Sequence, residues 1–529
     1  MPIPRWNLPI EPTPEEVEIL KLVKRHRRLF GFLRMHRHEL FNDEFQAELE
    51  TMYRDTGAGD TPKSPALMCM ALLLQAYVKA SDVEAVVASR ADARWKLVLG
   101  SLGSDEPLFS QGCLQQFRER LIEHGMDRRL LERTIELARE IGGFDWRKLP
   151  KALQVGIDSR PLVGAGRVED TFNLLGHAAR KVLACASKLT GLSPEDICSE
   201  ASCRLFLASS VKAGLDIDWS DKEQKSDALN QLMDQVVTLT TWVEQNIDKR
   251  RRLDDPIQRY LDALDEFEEQ DLERDSDGTI KIRNEVAKDR RISVEDPEMR
   301  HGRKSKKKTF NGYKEHVAAD LTTQLILACA VTPANAPEQT AAATLTGEIH
   351  DQGFEIGELF IDRGYIKSPT AEEIEKDGGE VVCKPWRQNN NKTGLFSKAD
   401  FDINIRDKTI TCPAGQVEDF DFGMTIEFNP RACAQCLLRN DCTTQSLGRG
   451  RTVLIAEDEA RQKRLRKLQT TKKGRSRLRE RTGIEHRLAH ISSRKGPRAR
   501  YRGVRKNEFD LRRASALQNL EAIQRKEAA

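Results

Sequence analysis

Short apolar runs that alternate with helical segments between residues 152 and 384 restrict the fold of this chain more than any other feature. Five of these runs have the length and composition of buried strands. They are Ala152–Ile157, Tyr313–Asp320, Leu325–Thr332, Glu358–Asp362 and Glu380–Lys384. The segments Pro337–Gln352 and Pro369–Lys376 predict helices between the later strands. This succession predicts a mixed α/β sheet.

The chain is longer than one hydrophobic core usually serves, so we expect several domains in its 529 residues. Apolar residues at helical spacing predict a helical N-terminal domain, in which Ser110 can cap a helix. The predicted division is a helical domain at 1–145, a sheet-bearing domain at 150–400 and 452–525, a helical insertion with an acidic end at 180–285, and a small cysteine-bearing insertion at 401–451.

Basic residues are concentrated in two places, although the net charge is only +3. From Arg461 to Arg513 there are 21 Lys and Arg against 4 Asp and Glu, and a second basic run spans Arg303–Lys308. Such blocks are typical of proteins that bind a polyanion, although solvated charged helices have the same composition. No long uncharged apolar run and no signal peptide is recognisable, so we expect a cytoplasmic protein with no membrane partner.

Three carboxylates are candidates for a metal-dependent site. Asp158 and Asp362 each end a predicted strand, where functional groups gather in open α/β sheets. Glu485 lies in a segment, Arg479–Ile491, that predicts a helix able to pack beside the sheet. Carboxylates suit Mg²⁺ or Mn²⁺, and a pair of such ions can serve both ends of a phosphodiester displacement. The chain has 83 Asp and Glu, however, and an aspartate after a strand is also a common turn residue.

Several motifs occur in the order found in the DDE transposases of bacterial insertion sequences, which the chain resembles. The most specific is Asp362-Arg363-Gly364-Tyr365, which is similar to the second-aspartate motif of that family. Val155–Ser159 resembles the first catalytic strand. Arg481 and Glu485 keep the spacing of the third-carboxylate motif, in which Leu478 and Ser492 replace the usual Tyr and Lys. Further similar segments are Trp95–Leu99, Leu108–Ser110, Phe117–Leu121, Asp289–Ser293, Asp296–Glu298, Phe310–Lys314, Val331–Asn335, Ala499–Gly503 and Leu517–Leu520.

The resemblance implies a ribonuclease-H-like catalytic domain in which Asp158, Asp362 and Glu485 hold Mg²⁺ or Mn²⁺. It implies cleavage at the terminal inverted repeats of an insertion sequence and joining of the ends to target DNA. Such a protein is expected to be a homodimer when bound to DNA ends and to associate with the bacterial nucleoid. Two alternatives remain open, a catalytically inactive DNA-binding relative and a ribonuclease-H-like nuclease that cuts without joining.

Basic side chains near these segments are candidates for contacts with DNA phosphates. The predicted contacts are Lys304, Lys306, Lys307, Lys308, Arg481, Arg487, Arg494, Lys495, Arg498, Arg500 and Arg502.

Four of the 11 cysteines are clustered, namely Cys412, Cys433, Cys436 and Cys442. A C-x2-C pair is a common half-site for tetrahedral zinc, and relatives in the family often carry such a cluster before the catalytic Glu. The cluster is either a structural zinc site or four reduced thiols in a small insertion. The histidines His316 and His350 are predicted to be surface or packing residues.

Overall fold

The computed structural model describes residues 3–24, 28–53, 61–141, 152–253, 255–305, 307–386 and 394–527. The N-terminal part is helical, as its apolar spacing predicts. Its helices are α1 (Pro14–Val23), α2 (Arg28–Leu40), α3 (Asp43–Glu50), α4 (Pro65–Val78), α5 (Asp82–Ala91), α6 (Ala93–Leu99), α7 (Gln111–Glu123) and α8 (Met126–Glu140). Ser110 is the N-cap of α7, because its hydroxyl accepts a hydrogen bond from the amide of Cys113 at 3.2 Å.

The first strand of the sheet, β1 (Ala152–Val163), leads into a second helical region. Its elements are α9 (Thr171–Thr190), α10 (Pro194–Glu200), α11 (Val211–Leu215), α12 (Lys222–Asn246), α13 (Lys249–Leu253), α14 (Ile257–Asp271), and a hairpin of β2 (Leu272–Arg274) with β3 (Ile280–Ile282). This region has a hydrophobic cluster of its own, in which Trp242 and Phe267 are among the largest side chains. The acidic segment therefore forms an amphipathic helix, α14, that buries one face.

The remaining strands of the sheet are β4 (Arg300–Arg303), β5 (Thr309–Asp320), β6 (Ile326–Pro333), β7 (Glu355–Phe360) and β8 (Glu380–Val382), with α15 (Ala342–Asp351) and α16 (Pro369–Lys376) between the later ones. β5 pairs antiparallel with β1 on one edge and with β6 and β4 on the other. β1 pairs parallel with β7, which pairs parallel with β8. The sheet has six strands, with antiparallel pairing among β4, β6, β5 and β1 and parallel pairing among β1, β7 and β8. It is therefore a mixed sheet, and the expected ribonuclease-H-like fold is confirmed.

Asp158 differs from its sequence prediction, because it lies within a strand rather than at the end of one. β1 continues to Val163 and keeps its pairing with β5 throughout. On its other edge, pairing with β7 stops at Gly156. Pro161 is tolerated in this half of β1 because a proline can occupy a strand edge that is not used for pairing. Asp158 therefore lies just beyond the last residue that joins the two parallel strands.

The cysteine-bearing segment forms two small sheets. Its elements are β9 (Asp402–Asn404), β10 (Thr409–Thr411), β11 (Val417–Asp419), β12 (Thr425–Glu427), α17 (Pro430–Ala434), α18 (Arg439–Cys442) and β13 (Thr452–Leu454). β9, β10 and β11 form one sheet, and β12 pairs with β13. Phe401, Ile410 and Phe428 belong to a separate small core in this segment.

Four helices complete the chain, namely α19 (Glu459–Thr470), α20 (Lys472–Glu480), α21 (Thr482–Lys495) and α22 (Val504–Glu527). α22 is buried on nearly all sides and packs against β6 and two N-terminal helices, α4 and α8. Its buried Arg512 pairs with Asp127 of α8 and Glu348 of α15. The N-terminal helices and the sheet therefore share one hydrophobic core around α22.

Within the described ranges, no single helix is long and apolar enough to cross a membrane. The helices α4 and α5 would meet the length and composition requirement only as a pair, and they are bent by 106° relative to each other.

Candidate active site

The strand that carries the first candidate carboxylate, Asp158, packs closely against α21 because residue 156, two positions earlier in β1, is a glycine. A Cβ atom on Gly156 would lie 3.1 Å from the Cβ of Ile484 and 2.9 Å from Cδ2 of Leu321. The missing side chain therefore lets α21 approach the strand closely. Since Glu485 follows Ile484, this contact brings the carboxylate of α21 to the half of β1 that holds Asp158.

Arg481 links two of the three candidate carboxylates. It lies between α20 and α21, so the helix predicted over 479–491 is divided at this residue. Its Nη1 is 3.3 Å from Oδ2 of Asp158, and its Nη2 pairs with Oε1 of Glu485. The guanidinium therefore neutralises two carboxylates that belong to different elements.

The second aspartate, Asp362, lies two residues after β7, at the start of a turn. Its Oδ1 accepts a hydrogen bond from the amide of Gly364 at 2.7 Å, which fixes the orientation of the carboxylate. The three carboxylates of Asp158, Asp362 and Glu485 line one open cavity of about 460 Å³. The structure thus brings together residues from three distant parts of the sequence.

The pKa of Asp158 is raised to about 6, mainly by burial and also by the charges of Asp362 and Glu485, while Arg481 and the amide of Ser159 oppose the shift. The carboxylates therefore repel one another in the absence of a cation. A site with this property favours a bound divalent ion, because the ion relieves the repulsion.

Two groups of basic residues flank the carboxylates. Arg303, Lys304 and Lys314 line the first cavity. A second open cavity, of about 770 Å³, shares Asp362 and Glu485 with the first. Its basic lining residues are Arg363, Lys384, Arg475, Arg479 and Arg481. Asp362 and Glu485 therefore lie between two surfaces that can accept phosphate groups.

The acidic residues of the first cavity supply carboxylate oxygens, which are the ligands that hard divalent cations prefer. The residues present therefore fit such a cation. In the part of the chain that the structure describes, no three Asp, Glu, His or Cys side chains lie close enough together to hold one ion directly. Mg²⁺ keeps several of its waters in protein sites. Carboxylates spaced around a cavity are consistent with an ion that is bound partly through water.

Comparison with protein-family models gives two matches. A model described as a transposase DDE domain matches residues 279–520, and one described as a transposase domain matches residues 21–120. Together they cover more than half of the chain. The chain is a DDE transposase. Curated proteins and solved structures give no match to it. Transposases of this family act on DNA and use divalent metal ions.

The DDE-domain match includes Asp362 and Glu485 but begins after Asp158. Asp158 is therefore a candidate because of its position in β1 and its contact with Arg481, and not because of the family match.

The predicted DNA contacts of the transposase fall into two groups. Those at an accessible surface are Lys304 and Arg481, which line the cavities, and the exposed Lys307, Lys308, Arg498, Arg500 and Arg502. Arg500 also donates a hydrogen bond to the carbonyl of Ala80, and Arg502 pairs with Glu295. Lys306 lies outside the described residues.

The side chains of the other group are buried or half-buried and have partners within the transposase. The side chain of Lys495 is 5% exposed and pairs with Glu315 and Asp510. Arg487 is buried and donates to Gln324, and Arg494 pairs with Glu521. These three side chains are occupied in packing and do not line either cavity.

Sequence reasoning missed several residues of the site, including Lys314 and Glu338 in the first cavity. His316, which the sequence predicts to be a surface or packing residue, is a packing residue. His316 is fully buried behind the site, where its ring nitrogens are 2.6 Å from the hydroxyl of Tyr365 and 2.9 Å from that of Thr332. Burial lowers the pKa of His316 to about 3, so the ring is neutral. Its hydrogen bond to Tyr365 fixes the position of that hydroxyl.

The four clustered cysteines of the transposase line one open cavity of about 440 Å³. Burial raises the pKa of the Cys442 thiol, and the other three cysteines contribute to the increase. Among the described residues these thiols are not arranged as a metal-holding group. The structure brings them together, and zinc binding stays a prediction.

Proposed function

We propose that this transposase cuts the ends of an insertion sequence and joins them to target DNA, with Asp158, Asp362 and Glu485 as its catalytic carboxylates. The observation that carries the proposal is their common cavity, which draws on β1, the turn after β7 and α21. A bound pair of Mg²⁺ or Mn²⁺ ions would activate the attacking hydroxyl and stabilise the leaving oxygen.

The protein groups have separable roles in this proposal. The three carboxylates hold the cations, with Asp362 oriented by the amide of Gly364. Arg481 neutralises carboxylate charge before substrate binds and is placed to contact the scissile phosphate. Lys304 and Lys314 are placed to hold the phosphates of the strand that lies in the first cavity.

The proposed substrates are the terminal inverted repeats of the element and a target duplex. We assign recognition of the ends to the helical region 1–145 and catalysis to residues 150–400 and 452–525, with the insertions at 180–285 and 401–451 as separate units. The two basic surfaces on either side of Asp362 and Glu485 support a DNA path that crosses the site. The active form would be a homodimer on paired DNA ends, in the bacterial cytoplasm at the nucleoid. The cluster of Cys412, Cys433, Cys436 and Cys442 would hold a structural zinc ion.

The proposal is tested with a DNA fragment that carries the genomic sequences flanking the element. Wild-type protein should release 3′-OH ends in Mg²⁺ and join them to a target plasmid. Asp362→Asn should abolish both reactions and keep its DNA affinity, while Glu372→Gln, on the exposed face of α16, should behave as wild type. Cleavage by the Asp362 variant would overturn its assignment, and cleavage by wild type without joining would identify a nuclease instead.

A further inference from the structure

Glu338 is a carboxylate of the first cavity that no sequence motif singled out. It opens a short 3-10 turn, Glu338–Ala341, that follows β6. Its side chain is half-buried, and its Oε1 accepts a hydrogen bond from the hydroxyl of Ser159 at 2.7 Å. Since Ser159 directly follows Asp158 in β1, this bond holds Glu338 beside the first candidate aspartate.

The other oxygen of Glu338 lies at Gly364, in the turn that begins with the second aspartate. A Cβ atom on Gly364 would lie 2.0 Å from Oε2 of Glu338 and 3.0 Å from Oδ1 of Asp362. Both oxygens therefore crowd the face of Gly364 that a side chain would occupy. A side chain at position 364 would therefore meet both carboxylates, and the flexible Glu338 side chain would have to move away.

Glu338 has no direct ion-pair partner among the described residues, although the charge of Lys314 acts on it from a distance. In the part of the chain that the structure describes, Glu338 forms no ion pair, and Ser159 is its only side-chain hydrogen-bond donor. Lys314, a basic residue of the same cavity, donates a hydrogen bond from its ammonium group to the carbonyl of Ala336 at 2.6 Å. Other half-buried or buried carboxylates of this core do have cationic partners, as Glu315 has in Arg160 and Lys495.

We propose that Glu338 is a fourth carboxylate of the metal site and holds the divalent ions together with Asp158 and Asp362. The inference rests on the proposed function, since it assigns Glu338 to the same ions. One oxygen of Glu338 accepts a hydrogen bond from the residue after Asp158, the other lies at Gly364 in the turn that begins with Asp362, and Glu338 lines the first cavity together with both aspartates. A half-buried carboxylate without a direct ion-pair partner is stabilised when a divalent ion supplies the missing charge.

The test measures Mn²⁺ uptake by the full-length protein without DNA, from the loss of the free-ion signal in electron paramagnetic resonance. The variants are Glu338→Gln, Asp362→Asn and the exposed control Glu372→Gln. Glutamine at 338 still accepts the Ser159 hydrogen bond, so the substitution removes charge and little else. We expect Glu338→Gln to weaken Mn²⁺ binding by about tenfold or more, a loss typical of groups that support metal ligands.

The possible results separate this inference from the proposed function. Weaker binding in both Glu338→Gln and Asp362→Asn, with the control unchanged and thermal midpoints preserved, supports both. Wild-type affinity in Glu338→Gln together with loss in Asp362→Asn overturns the role of Glu338 and leaves the proposed function standing. Wild-type affinity in both variants, or no uptake by the wild-type protein, overturns the proposed metal site itself.

Discussion

Replacing Lys495 by methionine separates a packing role for this basic residue from a DNA-binding role. The lysine side chain is 5% exposed, and its Nζ lies 2.6 Å from Oε1 of Glu315 and 2.9 Å from Oδ2 of Asp510. Methionine has a similar length and fills the same space without the charge. Both carboxylates would keep one cationic partner, Arg160 for Glu315 and Arg513 for Asp510.

These contacts give the expected loss in the free energy of unfolding for Lys495→Met. Breaking a buried ion pair typically destabilises a protein by about 3–5 kcal/mol. Because each carboxylate retains an arginine, we expect a value near the lower end, about 3 kcal/mol, which is a large part of a typical domain stability of about 5–15 kcal/mol.

The effect of Lys495→Met should also depend on pH. Burial acts to raise the pKa of Asp510, but Lys495 and Arg513 hold it well below its ordinary value. A carboxylate with a depressed pKa stabilises the fold above its unfolded pKa of about 4, and this contribution is lost as the pH falls. The difference between Lys495→Met and wild type should therefore be full at pH 7 and smaller near pH 3.

The assay compares Lys495→Met with Arg498→Met, which alters an exposed arginine of the same basic segment. Thermal unfolding gives stability, and fluorescence anisotropy with labelled DNA gives the affinity of the folded protein. Lys495→Met should lower the thermal midpoint and keep its DNA affinity, and Arg498→Met should do the reverse. An unchanged midpoint with weakened DNA binding in Lys495→Met would refute the reasoning from burial.

Three further predictions concern the site and the cysteine cluster. Gly156→Val should lower DNA cleavage and reduce the free energy of unfolding by about 1–3 kcal/mol, because the new side chain forces Ile484 and α21 away from β1. Full cleavage activity of this variant would contradict the prediction. Asp158→Asn should raise the thermal midpoint in EDTA at pH 7.5 but not at pH 4. Burial raises the pKa of Asp158 to about 6, so its ionised form destabilises the fold as the pH rises through that value. Equal changes of the midpoint at both pH values would show that this charge is not destabilising. Elemental analysis of the purified protein should find one zinc ion, which Cys433→Ser or Cys436→Ser removes. Wild-type protein that contains no zinc and is insensitive to chelators would eliminate the zinc proposal.

The fold was largely predictable because its signals are local. Apolar runs and caps specify the strands and helices, and Ser110 and the range Pro369–Lys376 agree with the structure at the residue level. The extent of β1 was not predictable, because the length of a strand depends on its partners. Residues 159–163 continue the strand only because β5 remains paired with them.

The positions of basic residues were harder to predict, because composition does not show which side of a helix faces inward. Lys495 continues the buried face of α21 that holds Ile484, Leu488 and Ile491, so helical periodicity could have identified it. Arg512 could not have been identified in this way, since its carboxylate partners come from α8 and α15.

The site was predictable to the extent that its residues belong to sequence motifs. Asp362 and Glu485 belong to segments that resemble the family's motifs, and Asp158 follows from the strand that carries it. Glu338 belongs to no quoted motif, and its place in the first cavity depends on the fold, which brings the turn after β6 to Ser159 of β1.

Iron-induced cleavage of the protein can show whether Asp158, Asp362 and Glu485 surround one metal site. Fe²⁺ that replaces Mg²⁺ at a carboxylate site generates hydroxyl radicals with ascorbate and peroxide, and these cut the nearest peptide bonds. We expect cuts near Asp158, Asp362 and Glu485 together, and we expect them to be suppressed by excess Mg²⁺ and absent in Asp362→Asn. Cuts near only one of these residues, or at sites away from all three, would contradict this expectation.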